Sequence, residues 1–290
     1  MLQDASFNMI RGRRYALIGR NGKGKSTMLK ALAARRVGDI PSNVSMHYVS
    51  QEVKLTEETM NMTPLQAVIA ADIERKLLME EMEHLESLDE LSNEQSERQN
   101  DVIGQLEIIE ADSAERRAME LLDNLGFSEE LKSRTIKDMS GGWRVRTMLA
   151  AAIFAKPDML LLDEPTNHLS ILAVLWLAKE LSTSETWQDK IIVVVSHDRY
   201  FIGKCSHYMI VTLHLYDFHP HSSITLVFGL DVDQVCTDCL HISGVARRLT
   251  QTHGNYTQWS TKRKEQQIKY ARESAKRDEE IKELKEFAGE

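Results

Sequence analysis

Long apolar runs are missing from this 290-residue sequence, which contains no stretch of about eighteen consecutive apolar residues. We therefore expect no membrane span, and the lack of a basic start followed by an apolar run predicts no signal peptide. Cysteine is scarce, with only Cys205, Cys236 and Cys239, which favours a reducing compartment. Basic residues are too few to outnumber acidic ones: the net charge of −8 excludes an overall electrostatic drive toward nucleic acid.

The composition that remains is that of a globular domain. Hydrophobic residues make up 42% and charged residues 28% of the chain. Its length allows one large α/β domain with appendages. Any contact with RNA would have to come from a local basic face.

A phosphate-binding loop is predicted near the start of the chain. A short apolar run, Tyr15–Ile18, precedes a glycine-rich segment, and a helical pattern follows it over residues 27–34. The spacing is that of G-x-x-x-x-G-K-[ST] between a strand and a helix. The segment reads Gly19-Arg20-Asn21-Gly22-Lys23-Gly24-Lys25-Ser26, and Thr27 follows it.

Each residue type in this loop suits a polyphosphate. Gly22 and Gly24 can adopt backbone angles that let main-chain N–H groups approach the phosphates. The helix start adds free N–H donors and a partial positive charge. Lys25 supplies a cation for the β- and γ-phosphates, and Ser26 supplies a hydroxyl for Mg²⁺. The alternative is a glycine-rich turn that matches by accident, and the flanking strand and helix argue against it.

Two further apolar runs end in polar groups of catalytic type. Residues 159–162 lead into Asp163 and Glu164, and residues 191–195 lead to His197. Such runs are typical of central parallel strands, whose carboxyl ends carry the binding groups. Asp163 can hold Mg²⁺, Glu164 can orient or deprotonate the attacking water, and His197 can contact the γ-phosphate. The alternatives are solvated strand-end acids and an ordinary hydrogen-bonded histidine.

A second anion-binding helix start is predicted at Ser140-Gly141-Gly142, before the helical residues 143–155. It offers N–H donors and a hydroxyl but no lysine. One phosphate group does not need two such loops from one chain. We therefore expect this one to serve a nucleotide held by another domain.

Between these motifs the sequence is helical over about residues 64–126. Thr63 and Pro64 predict a helix start, and Leu77, Leu78 and Leu85 recur on one predicted face together with Met82 and Leu88. Residues 72–120 hold 16 acidic and 5 basic side chains. This imbalance is explained either by a solvated helical hairpin, which we favour, or by a surface for a basic partner.

Taken in order, the phosphate loop, Gln51, Ser140-Gly141-Gly142, Asp163-Glu164 and His197 resemble the nucleotide-binding domain of the ATP-binding-cassette superfamily. The wider motifs narrow the resemblance to the ABC-F family of twin-cassette ATPases, many of which act on ribosomes. These motifs are Met139 to Arg146, Asp163 to Leu169 and Ser196 to Phe201, and the resemblance covers about residues 1–202 and 235–290.

The resemblance implies a fold and a set of roles. The fold is α/β, of the phosphate-loop NTPase type, with a helical subdomain over about 60–155 inside a cassette spanning 1–260. Gln51 is then the residue that links Mg²⁺ to the helical subdomain, and Ser140, Gly141 and Gly142 close on the partner cassette's γ-phosphate. Glu164 is the catalytic carboxylate, and His197 senses the γ-phosphate. The charged residues 261–290 resemble the start of the helix that links two cassettes.

Several features depart from the family pattern. The strand carrying an adenine-stacking aromatic is expected before residue 1, and Ser170 stands where the family usually has Asp. Residues 203–234 have no sustained period and are interpreted as an insertion into the cassette, either a lineage-specific loop or translated non-coding sequence. Within Cys236-x-x-Cys239-x-His241 a zinc site is the weaker alternative, since only three ligands lie close together.

The motifs predict a cytoplasmic ATPase that uses ATP and Mg²⁺, and the ABC-F resemblance implies that it needs a second cassette and acts on ribosomes. That cassette would come from a longer chain or a homodimer, and rRNA or tRNA are further possible contacts. The alternatives are the ATPase subunit of a membrane transporter and a catalytically incompetent fragment.

Overall fold

The sheet that organises the fold has six strands. In this computed structural model the described residues are 8–18, 24–37, 39–88, 90–196, 201, 209–214, 223–228, 237–242, 249–254 and 256–288. The strands of the sheet are, in chain order, β1 (Arg14–Ile18), β2 (Met46–Val49), β3 (Met159–Asp163), β4 (Ile191–Val195), β7 (Asp238–Ile242) and β8 (Leu249–His253). A separate pair is formed by β5 (Met209–His214) and β6 (Ser223–Phe228).

The order of the six strands is β2-β3-β4-β1-β7-β8. All neighbours pair in parallel except β7 and β8, which are antiparallel. Every residue of β3 and β4 is buried, as predicted from their apolar sequences. Asp163 lies beside Val195 in the ladder, so the carboxyl ends of these two strands meet at one edge of the sheet.

Ten α-helices have their bounds within the described residues. They are α1 (Lys25–Ala33), α2 (Glu57–Asn61), α3 (Pro64–Ala70), α4 (Ile73–Glu86), α5 (Asn93–Ile108), α6 (Ala114–Asn124), α7 (Glu129–Ser133), α8 (Gly141–Phe154), α9 (Ile171–Thr183) and α10 (Tyr256–Ala288). Short 3-10 turns lie at Ala111–Ser113, Ile136–Asp138 and Glu185–Trp187. None of the described helices combines the length and apolar character that a bilayer crossing requires.

Helices cover both faces of the sheet. On one face Tyr15, Leu161 and Val193 pack with Leu29 and Leu32 of α1. On the other face the alternate strand residues pack against α6, α8 and α9 in a larger core. The α/β class predicted from the sequence is therefore confirmed.

The helical stretch begins as its sequence predicts. The Thr63 hydroxyl accepts a hydrogen bond from Gln66 N (3.3 Å), and Gln66 Oε1 accepts one from Thr63 N (2.9 Å), with Pro64 at the first helical position. The predicted apolar face of α4 was partly wrong. Leu78 and Leu85 are buried, whereas Leu77 is 59% exposed because it lies one position away from their stripe.

At the amino ends of the strands, Asp158 joins three segments. Its carboxylate accepts hydrogen bonds from Ser45 N (3.0 Å) and Ser45 Oγ (2.9 Å), ahead of β2. It also pairs with Lys190 Nζ (3.4 Å) before β4 and with Arg11 Nη2 (3.1 Å) before β1. Asp158 thereby fixes the starts of four neighbouring strands, including its own β3.

Strands β5 and β6 pair in antiparallel register from Met209 with Phe228 to His214 with Ser223. Their ladder is separate from that of the six-stranded sheet. The chain then rejoins the sheet at β7, which lies beside β1.

Candidate functional site

The amino end of α1 carries the described part of the phosphate loop. Gly24 is the N-cap residue and has φ of 91°, a left-handed conformation that favours glycine. Lys25 is 9% exposed in the first turn, and Ser26 follows it. Five residues predicted for this loop (Gly19, Arg20, Asn21, Gly22 and Lys23) lie outside the described residues, as does His197.

Three predicted magnesium ligands line one cavity. Ser26 from α1, Gln51 after β2 and Asp163 at the end of β3 border a space of about 620 Å³. A hydroxyl, an amide and a carboxylate are hard oxygen donors of the kind that Mg²⁺ prefers. The residues present therefore fit the ion by donor type and by shared location. Among the described residues, Lys25, Thr27, Glu164 and Ser140 to Gly142 are not part of this lining.

Asp163 is held by a neighbour that sequence reasoning missed. The Tyr48 hydroxyl donates to Asp163 Oδ2 (3.1 Å), and the carboxylate is 4% exposed. Burial and the adjacent carboxylate raise the pKa of Tyr48, so its hydroxyl remains a donor at neutral pH. His47, which also lines the cavity, has a pKa lowered by burial and is neutral near pH 7. A clue was present in the sequence, since Tyr48 stands three residues before Gln51, which the motif order singles out.

Glu164 has an unusual backbone. Its φ is 54°, its side chain is 8% exposed, and its N–H donates to Val195 O (2.8 Å). A left-handed glutamate is uncommon and stores strain, which tends to occur at functional sites. The residues after Glu164 form a turn, in which Asn167 N donates to Glu164 O (3.3 Å).

Ser140 is the N-cap residue of α8. Its backbone is extended, with φ of −65° and ψ of 159°, and its hydroxyl makes no capping hydrogen bond to α8. The first-turn N–H groups that have no partner within α8 are therefore those of Gly141, Gly142 and Trp143, directly after Ser140. Ser170 does cap its helix: it accepts from Ala173 N (3.3 Å), so the serine retains the capping capacity that an aspartate would have there.

A sequence profile of the family described as ABC transporter matches residues 2–167, more than half of the chain. The chain belongs to the ABC transporter family. Its relatives include mouse ATP-binding cassette sub-family F member 2, which is 42% identical over 71% of this chain and 31% of the relative. An Arabidopsis thaliana ABC transporter F family member 4 is 41% identical over 76% of this chain and 30% of the relative. The ABC-F resemblance is thereby confirmed.

One relative aligns along nearly the whole chain. It is an uncharacterised ABC transporter ATP-binding protein of Schizosaccharomyces pombe, 34% identical over 99% of this chain and 37% of the relative. The chain thus spans about a third of the length of the curated relatives it matches.

Solved structures show the same cassette fold. The ATP binding subunit of an ABC transporter aligns with a TM-score of 0.54 at 19% identity, covering 87% of this chain and 83% of that chain. A ribosome-bound archaeal Pelota and ABCE1 assembly aligns at 0.51 and 19% identity, covering 84% of this chain and 31% of that chain. The cassette fold predicted from the motifs is confirmed, and the family is one of ATPases.

The surroundings of Cys239 bear on the alternative of a zinc site. Cys239 is fully buried on β7, and its thiol donates to Gly254 O (3.6 Å). Burial, with the adjacent Asp238 carboxylate, raises the pKa of this thiol to about 12, so the metal-free thiol is protonated at neutral pH. Among the described residues no group of three His, Cys, Asp or Glu is placed to hold a metal, and Cys236 lies outside them.

Proposed function

We propose that this cassette binds ATP with Mg²⁺ and hydrolyses it in the cytoplasm when a second cassette supplies its own equivalent of Ser140, Gly141 and Gly142, which we call the signature. The observation that carries the proposal is the convergence of Ser26, Gln51 and Asp163 on one cavity. Lys25 precedes Ser26 in the first turn of α1, and Glu164 follows Asp163 on the chain. These residues supply a cation for phosphate, oxygen ligands for Mg²⁺ and a base for water.

The roles follow from the positions. Lys25 binds the β- and γ-phosphates, and Ser26, Gln51 and Asp163 would hold Mg²⁺, which neutralises phosphate charge when bound. Glu164 orients the attacking water or accepts its proton. His197 contacts the γ-phosphate, and Gly19 to Gly24 with Thr27 complete the phosphate loop.

The signature is assigned to the partner's nucleotide. Ser140, Gly141 and Gly142 begin α8, whereas the cavity at Asp163 is bordered by Met148 and Ala152 farther along the same helix. A helix rises about 1.5 Å per residue, so along α8 Gly142 lies about 9 Å from Met148 and about 15 Å from Ala152. This separation supports a composite site in which each cassette lends its signature to the other.

Binding is tested by Lys25→Ala. Removing the buried lysine of the phosphate loop is expected to weaken binding of a fluorescent ATP analogue by at least about a hundredfold, since a charge-assisted contact is lost. Lys76→Ala is the control, because Lys76 lies on α4 with its side chain 59% exposed. Equal affinity of the parent and Lys25→Ala would contradict the assignment.

We further propose that the cassette acts on ribosomes, as its ABC-F motifs imply, with rRNA or tRNA as further contacts. Its likeness to a ribosome-bound assembly concerns the fold alone, so this proposal depends on those motifs. The test is cosedimentation with ribosomes, with and without ATP. We expect Glu164→Gln to sediment with ribosomes in an ATP-dependent way and Lys25→Ala to show no such dependence. Absence of cosedimentation under both conditions would instead favour the transporter subunit or the incompetent fragment.

The domain limits are part of the same proposal. The cassette occupies 1–260 with its helical subdomain at about 60–155, residues 203–234 are an insertion, and 261–290 begin the linker helix. Separate pairing of β5 with β6 supports the insertion, and the 33-residue α10 supports the linker.

A further inference from the structure

Arg146 connects the signature helix to the loop that follows Glu164. Its Nε donates to the carbonyl of His168, 22 residues farther along the chain. The same guanidinium lies 4.1 Å from the centre of the Trp143 ring and donates through Nη1 to Leu125 O (3.4 Å). One side chain on the second turn of α8 therefore joins three segments of the cassette.

These contacts require a guanidinium. Its planar fork offers several N–H donors and can stack on an indole while it bonds carbonyls on its edge. A lysine ammonium is a point charge that cannot do both. The Trp143 ring is itself braced by Phe127 in an edge-on contact, with centroids 4.9 Å apart.

A second contact joins the same two segments. A Cβ atom at Gly142 would lie 3.4 Å from Cγ and Nδ1 of the His168 ring. The amino end of α8 thus packs directly on His168, while Arg146 holds the His168 carbonyl one turn later. The glycine leaves room for the ring at this close approach.

Two backbone hydrogen bonds turn the loop between Glu164 and Leu169, which contains His168. Leu169 N donates to Thr166 O (3.1 Å), and Asn167 N donates to Glu164 O (3.3 Å). The Thr166 hydroxyl lies 3.3 Å from the Ser196 hydroxyl at the end of β4. A short, turned loop therefore separates the α8 contacts at His168 from the strained Glu164 backbone.

We propose that Arg146 is a positioning residue that couples the signature of this cassette to its own catalytic carboxylate. The inference depends on the proposed function. When Ser140 to Gly142 close on the partner's nucleotide, Arg146 and the Gly142 contact carry that movement to the Glu164 loop. Occupancy of one composite site thereby sets the geometry of the other.

The test compares Arg146→Lys and Arg146→Gln with Arg144→Lys. Arg144 lies on the same helix but donates to Ile136 O (3.2 Å) and Lys137 O (2.9 Å), which belong to the segment before the signature. Arg144→Lys therefore disturbs α8 without cutting the bridge to His168. The readouts are affinity for a fluorescent ATP analogue, turnover against ATP concentration, and hydrogen exchange of the peptide spanning 164–169.

Both Arg146 variants should bind the analogue within about twofold of the parent and lose at least about tenfold in kcat with little change in KM. In the parent, ATP should slow exchange in the 164–169 peptide, and the Arg146 variants should lose this response. Arg144→Lys should stay within about twofold of the parent in kcat and keep the response.

Provided that the parent binds and hydrolyses ATP, three results would overturn this inference and leave the proposed function standing. They are parental kcat in both Arg146 variants, an equal loss in Arg144→Lys, and failure of both Arg146 variants to fold, which would make the residue structural. A parent that neither binds nor hydrolyses ATP would overturn the proposed function together with the inference.

Discussion

At the residue scale, Glu164 combines burial with a backbone conformation that glutamate rarely adopts. A left-handed non-glycine residue costs of the order of 1–3 kcal/mol and persists only where its surroundings enforce it. Here its N–H is held by Val195 O, and the Asn167 turn closes on its carbonyl. We interpret this strain as the means by which the carboxylate is held at the edge of the sheet where β3 and β4 end.

Asp158 is a residue whose contribution depends on pH. The backbone N–H of Ser45 is the main cause that lowers its pKa, and the Ser45 hydroxyl and Lys190 add to the effect. A lowered pKa in the folded state means that the carboxylate stabilises the fold above its unfolded pKa of about 3.9. That stabilisation is lost as the pH falls through the lower, folded value.

We predict that Asp158→Asn lowers the free energy of unfolding by about 1 kcal/mol at pH 7, because its charge-assisted bonds are weakened. The difference from the parent should begin to shrink below about pH 4 and vanish below the lowered folded pKa, where folded Asp158 is protonated as well. Urea denaturation at several pH values measures it. Asp189→Asn is the control. The Asp189 side chain is 67% exposed, and its carboxylate lies as far as 4.0 Å from the Arg11 guanidinium, so this pair contributes little to stability. A difference that is constant with pH would refute the assignment.

At the scale of elements, β5 and β6 form an antiparallel pair whose ladder is separate from the main sheet. Lengthening a loop is inexpensive, at about 0.6 kcal/mol for each doubling. We therefore expect an excursion of this size to leave the rest of the cassette folded. The apolar sequences of both strands also make the segment an aggregation liability.

Deleting residues 203–234 should preserve nucleotide binding and preserve or improve solubility. The control removes residues 238–242, which form β7 beside β1, and this deletion should prevent folding because it takes a strand from the main sheet. Soluble yield and affinity for the fluorescent ATP analogue are the measurements. If loss of 203–234 abolishes the fold, the segment is structural and the interpretation as an insertion is wrong.

At the scale of the whole molecule, the sequence predicted those elements whose signals are local. The apolar runs of β3 and β4 and the Thr63–Pro64 helix start are examples, because each depends on a few consecutive residues. Leu77 was misplaced because two adjacent leucines both fit a helical period, and packing decides between them.

Contacts between distant segments could not be predicted from one sequence. The Ser45–Asp158 bonds span 113 residues and the Tyr48–Asp163 bond spans 115, and both depend on the register of β2 against β3. The Arg146–His168 bridge likewise depends on how α8 packs against the loop after β3. The motifs indicated which residues are chemical, whereas the topology determined what holds them in place.

The central claim is that catalysis needs Glu164 from one cassette and the Ser140 signature from another. Glu164→Gln keeps its signature but lacks a base, and Ser140→Arg keeps Glu164 but should block closure on the partner's nucleotide. Each variant alone should bind ATP and hydrolyse it at least about tenfold more slowly than the parent.

Steady-state ATP turnover of an equimolar mixture of the two variants tests this claim most directly. In mixed pairs, the Ser140→Arg chain contributes nucleotide and Glu164 while the Glu164→Gln chain contributes the signature, so one intact composite site forms. We predict that the mixture hydrolyses ATP faster than either variant alone but more slowly than the parent, because the Ser140→Arg chain cannot close its own signature and so loses the coupling to its Glu164. The rate per chain should rise with protein concentration. A mixture no faster than the two variants measured separately, beside a parent that hydrolyses ATP, would contradict the composite site.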